Sequence, residues 1–132
     1  MIETTGVVHF TIPVSDIDRS EAFYHDILGL ETISRAPKPF NLLFMKSGED
    51  IVVLAKSKTP INPNPGDERF VHHAFGVALG KYEESRAHLG EMGVHIIHEE
   101  ERRDGVFQGK QAHFHDPDRN VLEIIALEHL GP

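Results

Sequence analysis

The same order of elements is written twice along this chain of 132 residues, and that repetition limits the fold more than any other feature. "VHFTIPV" (8–14) has the length of a short strand. "DIDRSEAFYHDILGLE" (16–31) follows with helical spacing, and Ile17, Ala22, Phe23, Ile27 and Leu28 are expected on its buried face. Asp16 or Asp18 suits the N-cap, and Gly29 the C-terminal stop. "ETISRA", "NLLFMK" and "IVVLA" are then three strand-like runs. After "KSKTPINPNPGDERF" (56–70), rich in Pro, Asn and charge, the order restarts. "VHHAFGV" (71–77) precedes a helix over 82–93 ending at Gly93, and "VHIIHEE", "QAHFH" and "VLEIIAL" complete the second set. Gly29 falls 20 residues after His9, and Gly93 21 after His72.

The pattern predicts an α+β fold of two paired βαβββ modules, 1–55 and 71–132, joined by the 56–70 linker within one domain. A module of about 60 residues buries too little surface alone, so its sheet needs the other module. Two four-stranded sheets side by side would make a curved half-barrel with a cleft.

Strand alternation then sorts the polar residues. His9, Thr11 and Pro13 share one face of the first strand; Val8, Phe10, Ile12 and Val14 share the other, expected to pack on the helix. By repeat position His72, rather than His73, matches His9. In "HFHDPDRNVLEII" (113–125) the five-residue turn "DPDRN" would set His115 opposite Val121 and His113 opposite Glu123. Glu123 then leaves the apolar layer to Leu122 and Ile124 and faces the cleft. Two histidines and a carboxylate on separate strands, His9, His72 and Glu123, can hold a divalent metal on one face and leave positions open for substrate or water.

Composition narrows the rest. A net charge of -8 argues against nucleic acid. No apolar run is long enough to span a bilayer. With no cysteine, disulfides and thiolate ligands are excluded, and a cytoplasmic setting is the default expectation.

"VHFTIPV", "HHAFGV" and above all "HDPDRNVLEI" resemble the vicinal oxygen chelate superfamily, which includes glyoxalase I, extradiol dioxygenases, fosfomycin-resistance enzymes and bleomycin-binding proteins. The resemblance covers nearly the whole chain. It implies paired βαβββ modules, a divalent metal (Fe2+, Mn2+, Zn2+ or Ni2+) on His9, His72 and Glu123, and a homodimer. In the four-ligand members the remaining ligand stands on the last strand of the first module. Val53, or Leu54 in the alternative register, occupies that place here and cannot coordinate. That weakens a glyoxalase I reading, and equally one as methylmalonyl-CoA epimerase, another member of the superfamily.

Ten residues before the glutamate the three-ligand relatives carry a tyrosine, and this chain has His113. His113 is the candidate catalytic residue, as acid or base, as a partner orienting Glu123, or as a ligand. Thr11 matches a substrate-contacting threonine of the fosfomycin transferases, whereas the basic stretch that follows their glutamate is missing from "IIALEHLGP". Arg102, Arg103 and Lys110 could supply some positive charge near the cleft. "FQGK" (107–110) is expected to be a mobile flap, with Phe107 contacting substrate. Extradiol-type dioxygenation is the first expected reaction, glyoxalase-like lyase or isomerase chemistry the second, and non-catalytic drug binding the third.

Overall fold

A computed structural model describes residues 1–132, apart from the side chain of Asp67. The first unit, Met1–Ile61, contains β1 (His9–Val14), α1 (Ile17–Leu28), β2 (Glu31–Ala36), β3 (Leu42–Ser47) and β4 (Asp50–Lys56). The second, Asn62–Pro132, opens with a short 3-10 turn at Pro65–Asp67. It continues through β5 (His72–Gly76), α2 (Tyr82–Glu91), β6 (Ile96–Arg102), β7 (Phe107–His115) and β8 (Val121–Leu130). This is the α+β architecture of two βαβββ modules. Each unit has an open four-stranded sheet, ordered β1-β4-β3-β2 and β5-β8-β7-β6. In both, the first strand pairs in parallel with the last, while the other neighbours are antiparallel.

The helix α1 shows how local chemistry sets its ends. Asp16 is extended and its carboxylate accepts from Arg19 N–H at 3.0 Å, while Gly29 adopts the left-handed conformation (φ 70°) that closes the helix. Its buried line differs from the expected one. Ser20 and Tyr24 are fully buried, and Ala22 is exposed. A residue set centred on Ile17, Ser20, Tyr24 and Ile27 follows the 3.6 period, and the hydroxyls of Ser and Tyr hid it from an apolar count. In β1, Ile12 and Val14 are buried as expected, but Phe10 on the same face is 53% exposed and Val8 lies outside the strand. The buried face of β1 thus begins only at Ile12.

The second unit is organised by the turn after β7. Asp116 is buried, and its carboxylate accepts from Asp118 N–H (2.8 Å), Asn120 N–H (2.9 Å) and the Asn120 side-chain amide (2.8 Å). These bonds hold the chain while Arg119 takes a positive φ of 64°. Replacing Asp116 with Ala leaves those donors without their acceptor. The expected result is a loss of about 2 kcal/mol in the denaturant unfolding of the second unit, followed by circular dichroism.

Two expectations are corrected in β7. "FQGK" is not a flap but the start of the strand, with Phe107 opposite Leu130 and a bulge between Gln108 and Gly109. Gly109 is required there: at φ 139°, an added Cβ would stand 2.1 Å from the Ala126 carbonyl oxygen. Lys110 does not face the polar side of the sheet. It pairs at 2.7 Å with Glu83 of α2, on the helix-bearing side. Arg103 is engaged by Glu101 at 2.6 Å.

Candidate metal centre

The hairpin register places the central pair. His115 stands opposite Val121 and His113 opposite Glu123, while the parallel partner of Glu123 on β5 is Ala74. Leu122 and Ile124 fill the other face and are buried. Glu123 is itself only 6% exposed, so its carboxylate has lost most of its water. An unpaired buried carboxylate costs several kcal/mol, and nearby positive or donor groups must offset that cost.

Two imidazoles supply them. His72 Nε2 lies 3.0 Å from Glu123 Oε2, and His113 Nε2 lies 3.2 Å from the same oxygen. The two rings meet edge to face with centroids 5.1 Å apart. One ligand atom from each of His72, His113 and Glu123 falls within 4.8 Å of the others. Protein donors stand about 2.0–2.2 Å from a first-row divalent ion, so two of them are at most about 4.4 Å apart, and the Glu123–histidine separations of 3.0 and 3.2 Å lie inside that limit.

The outer side of His72 strengthens the fit. Its Nδ1 lies 2.8 Å from the Arg69 carbonyl oxygen, which can only accept. Nδ1 therefore carries a proton, and Nε2 is the nitrogen left to face Glu123. Backbone carbonyls fix metal-binding histidines in this way. His73 points to the opposite face of β5. Burial, helped by the neighbouring His72, holds its pKa below the ordinary histidine value against the opposing pull of Asp116.

Of the residues expected at the site, His72, His113 and Glu123 are brought together. His9 and Thr11 stand exposed on β1 of the first unit. Within that unit His9 pairs with Ile51, as His72 pairs with Val121 in the second, so the two histidines occupy equivalent register positions. By the same equivalence Thr11 opposite Val53 matches Ala74 opposite Glu123. Val53 is therefore the repeat-mate of the glutamate; it is buried and apolar.

The second unit also holds a cavity of about 480 Å³ against this cluster. His98, Arg69, Arg102, Gln111 and Phe107 line it together with the three clustered residues. Spacing gives His98 no partner: three residues from His95 on a strand, the two face opposite ways. A bulge between Ile96 and His98 resets the register and places it opposite His113, with ring centroids 5.6 Å apart. Strand alternation resumes beyond it. Glu99, facing α2, accepts from the Tyr82 hydroxyl at 3.0 Å and pairs with Arg86, while Glu100 and Arg102 face the cavity. The Arg86 guanidinium, aided by the Tyr82 hydroxyl, holds Glu99 below the usual carboxylate range despite its burial. Arg69 and Gln111 were not singled out by the sequence, since nothing in their spacing sets them apart.

Among the described residues no helix is long and apolar enough to cross a membrane. Comparison with known proteins gives consistent results. The chain is 29% identical over 117 residues to the glutathione transferase FosA of Serratia marcescens, covering 88% of this chain and 77% of that protein. It is 29% identical over 119 residues to the metallothiol transferase FosB of Staphylococcus saprophyticus, covering 90% and 75%. Among solved structures, a variant of the fosfomycin resistance protein FosX from Listeria monocytogenes, complexed with Mn(II) and 1S,2S-dihydroxypropylphosphonic acid, shares the fold. It has a TM-score of 0.77 at 20% identity and covers 94% of this chain and 93% of its own. The model of the Glyoxalase/Bleomycin resistance protein/Dioxygenase superfamily matches residues 6–124, and the chain belongs to that superfamily.

Proposed function

We propose that the chain is a metal-dependent enzyme acting on a small substrate that offers the ion two neighbouring oxygens. One observation carries this reading: a buried carboxylate whose Oε2 lies 3.0 and 3.2 Å from two histidine nitrogens. His72 and Glu123 are the proposed ligands, with His9, at the repeat-matched position, as the third. When bound, the ion would act as a Lewis acid toward the chelating oxygens. Glu123 supplies the anionic donor. Arg69 fixes the His72 ring through its carbonyl. His113 stands against the carboxylate, where it can hold or hand over a proton. Phe107, 57% exposed and lining the cavity, and Thr11 are proposed substrate contacts.

The proposed reaction is addition of a thiol or water to an electrophilic, oxyanion-bearing substrate of the fosfomycin kind. The names of the two curated relatives, a glutathione transferase and a metallothiol transferase, support the thiol, and Arg69 and Arg102 at the cavity supply cations for the oxyanion that the segment after Glu123 lacks. A second reading, extradiol dioxygenation, is favoured by Val53. With no fourth donor at that place, three protein ligands would leave more of the ion open.

Metal analysis of anaerobically purified protein, followed by assays on the same sample, separates the two. Manganese or zinc with thiol- or water-dependent loss of fosfomycin is the expected result. Iron with oxygen uptake on catechols would put the second reading first. A protein that carries no metal and gains none on titration would sink both and leave a binding role.

A further inference from the structure

Two histidines flank the same carboxylate oxygen, yet their outer nitrogens meet opposite chemistry. His72 Nδ1 faces a carbonyl, an obligate acceptor. His113 Nδ1 is buried and has no hydrogen-bond partner. Two residues back on the same face of β7, Gln111 is 5% exposed, and its side-chain Nε2 is also buried without a partner. Among the described residues only Ser20 Oγ, in the first unit, shares that condition.

Buried polar atoms in folded proteins nearly always find partners, and each one left over calls for an explanation. Residues i and i+2 of a strand stand about 6.6 Å apart on one face, within reach of a glutamine amide and an imidazole ring. An amide N–H can only donate. An imidazole nitrogen without a proton can only accept. The two orphans are therefore complementary, and a small side-chain rotation or one buried water joins them. The inner side agrees. With Nδ1 of His113 accepting from Gln111, its Nε2 carries the proton and has the Glu123 oxygen at 3.2 Å to receive it; His72 meets the same oxygen at 3.0 Å, so only the group behind each ring distinguishes the two.

We infer that Gln111 is a positioning residue that fixes His113 as its Nε2–H tautomer, a hydrogen-bond donor to Glu123 outside the ligand set. Its neighbour His72, held by Arg69, is the opposite tautomer and presents the ligating lone pair. The compact cluster of three thus divides into two ligands and one donor. His113 keeps a proton aimed at the site, where it can stabilise negative charge developing on a substrate oxygen. The sorting is done by the group behind each ring. A carbonyl behind His72 makes a ligand, and an amide N–H behind His113 makes a donor.

Long-range proton–nitrogen correlation spectra of the full 15N-labelled chain test this. They are recorded with Zn2+ bound and again after chelation. Nδ1 of His113 is expected in the unprotonated range and Nε2 in the protonated range in both states. Gln111→Glu exchanges the donor for an acceptor of the same shape, and should move Nδ1 of His113 into the protonated range while leaving His72 unchanged. A wild-type His113 with a protonated Nδ1, or with Nε2 bound to Zn2+, would overturn the inference. So would a Gln111→Glu spectrum identical to wild type. The wild-type spectra decide even if the variant does not fold. If Zn2+ fails to bind at all, the metal reading falls, and the chelated sample still decides the tautomer.

Discussion

Glu123→Gln yields a chain that no longer gains stability from divalent metal. The wild-type chain, titrated with Mn2+ or Zn2+ to about a thousand times Kd, is expected to gain about 4 kcal/mol, on the proposal that the ion binds the folded state alone. The amide keeps the shape of the side chain but supplies no anionic oxygen, so that gain disappears. The metal-free proteins should differ by much less, within about 1 kcal/mol. Removing a buried charge relieves a desolvation cost comparable with the attraction it loses. The quantity to measure is therefore the difference between melts with and without metal, for each protein. Equal gains in both would remove Glu123 from the ligand set.

The second large effect is structural. Phe114 is fully buried between His113 and His115, opposite Leu122 on β8 and Ile96 on β6. Phe114→Ala removes a ring from the layer beneath the site and should cost about 3–5 kcal/mol. That is a large share of the stability of a small domain. The expected result is a marked fall in the denaturant midpoint of the second unit, with the metal-dependent gain lost alongside it. Phe107→Ala is the control. It alters the same residue type on the same strand, but Phe107 is 57% exposed, so stability should stay within about 0.5 kcal/mol. Similar losses in the two variants would contradict the burial assigned here.

Where local chemistry dictates structure, the sequence was easy to interpret. Asp16 and Gly29 bound α1 as their cap preferences require. The turn after His115 sets the His113–Glu123 pair, because five residues and a buried aspartate leave little freedom in register. Val53 stands where the repeat puts the counterpart of Glu123. The misreadings arose where a long-range contact overrides a period. The bulge before His98 sets that ring opposite His113, which the spacing from His95 does not show. The bulge at Gly109 belongs to a strand whose first residues, Phe107 and Gln108, pair with the far end of β8 rather than hanging free. Ser20 and Tyr24 are buried because the space beneath α1 admits them, which an apolar pattern does not reveal. At the site, strand parity could not show that Gln111 is enclosed while Thr11 is exposed.

The parallel pairing of β5 with β8 also bears on when the site comes into being. His72 opens β5, the first strand of the second unit, and Glu123 lies on β8, its last, with α2, β6 and β7 between them. Roughly fifty residues must be synthesised and looped back before these two side chains meet, and contacts of such long range form slowly. A nascent chain ending before β8 carries His72 but not Glu123. On the proposed ligand set, metal capture would report completion of the β5–β8 ladder, and slow release of the ion would report the ladder's opening.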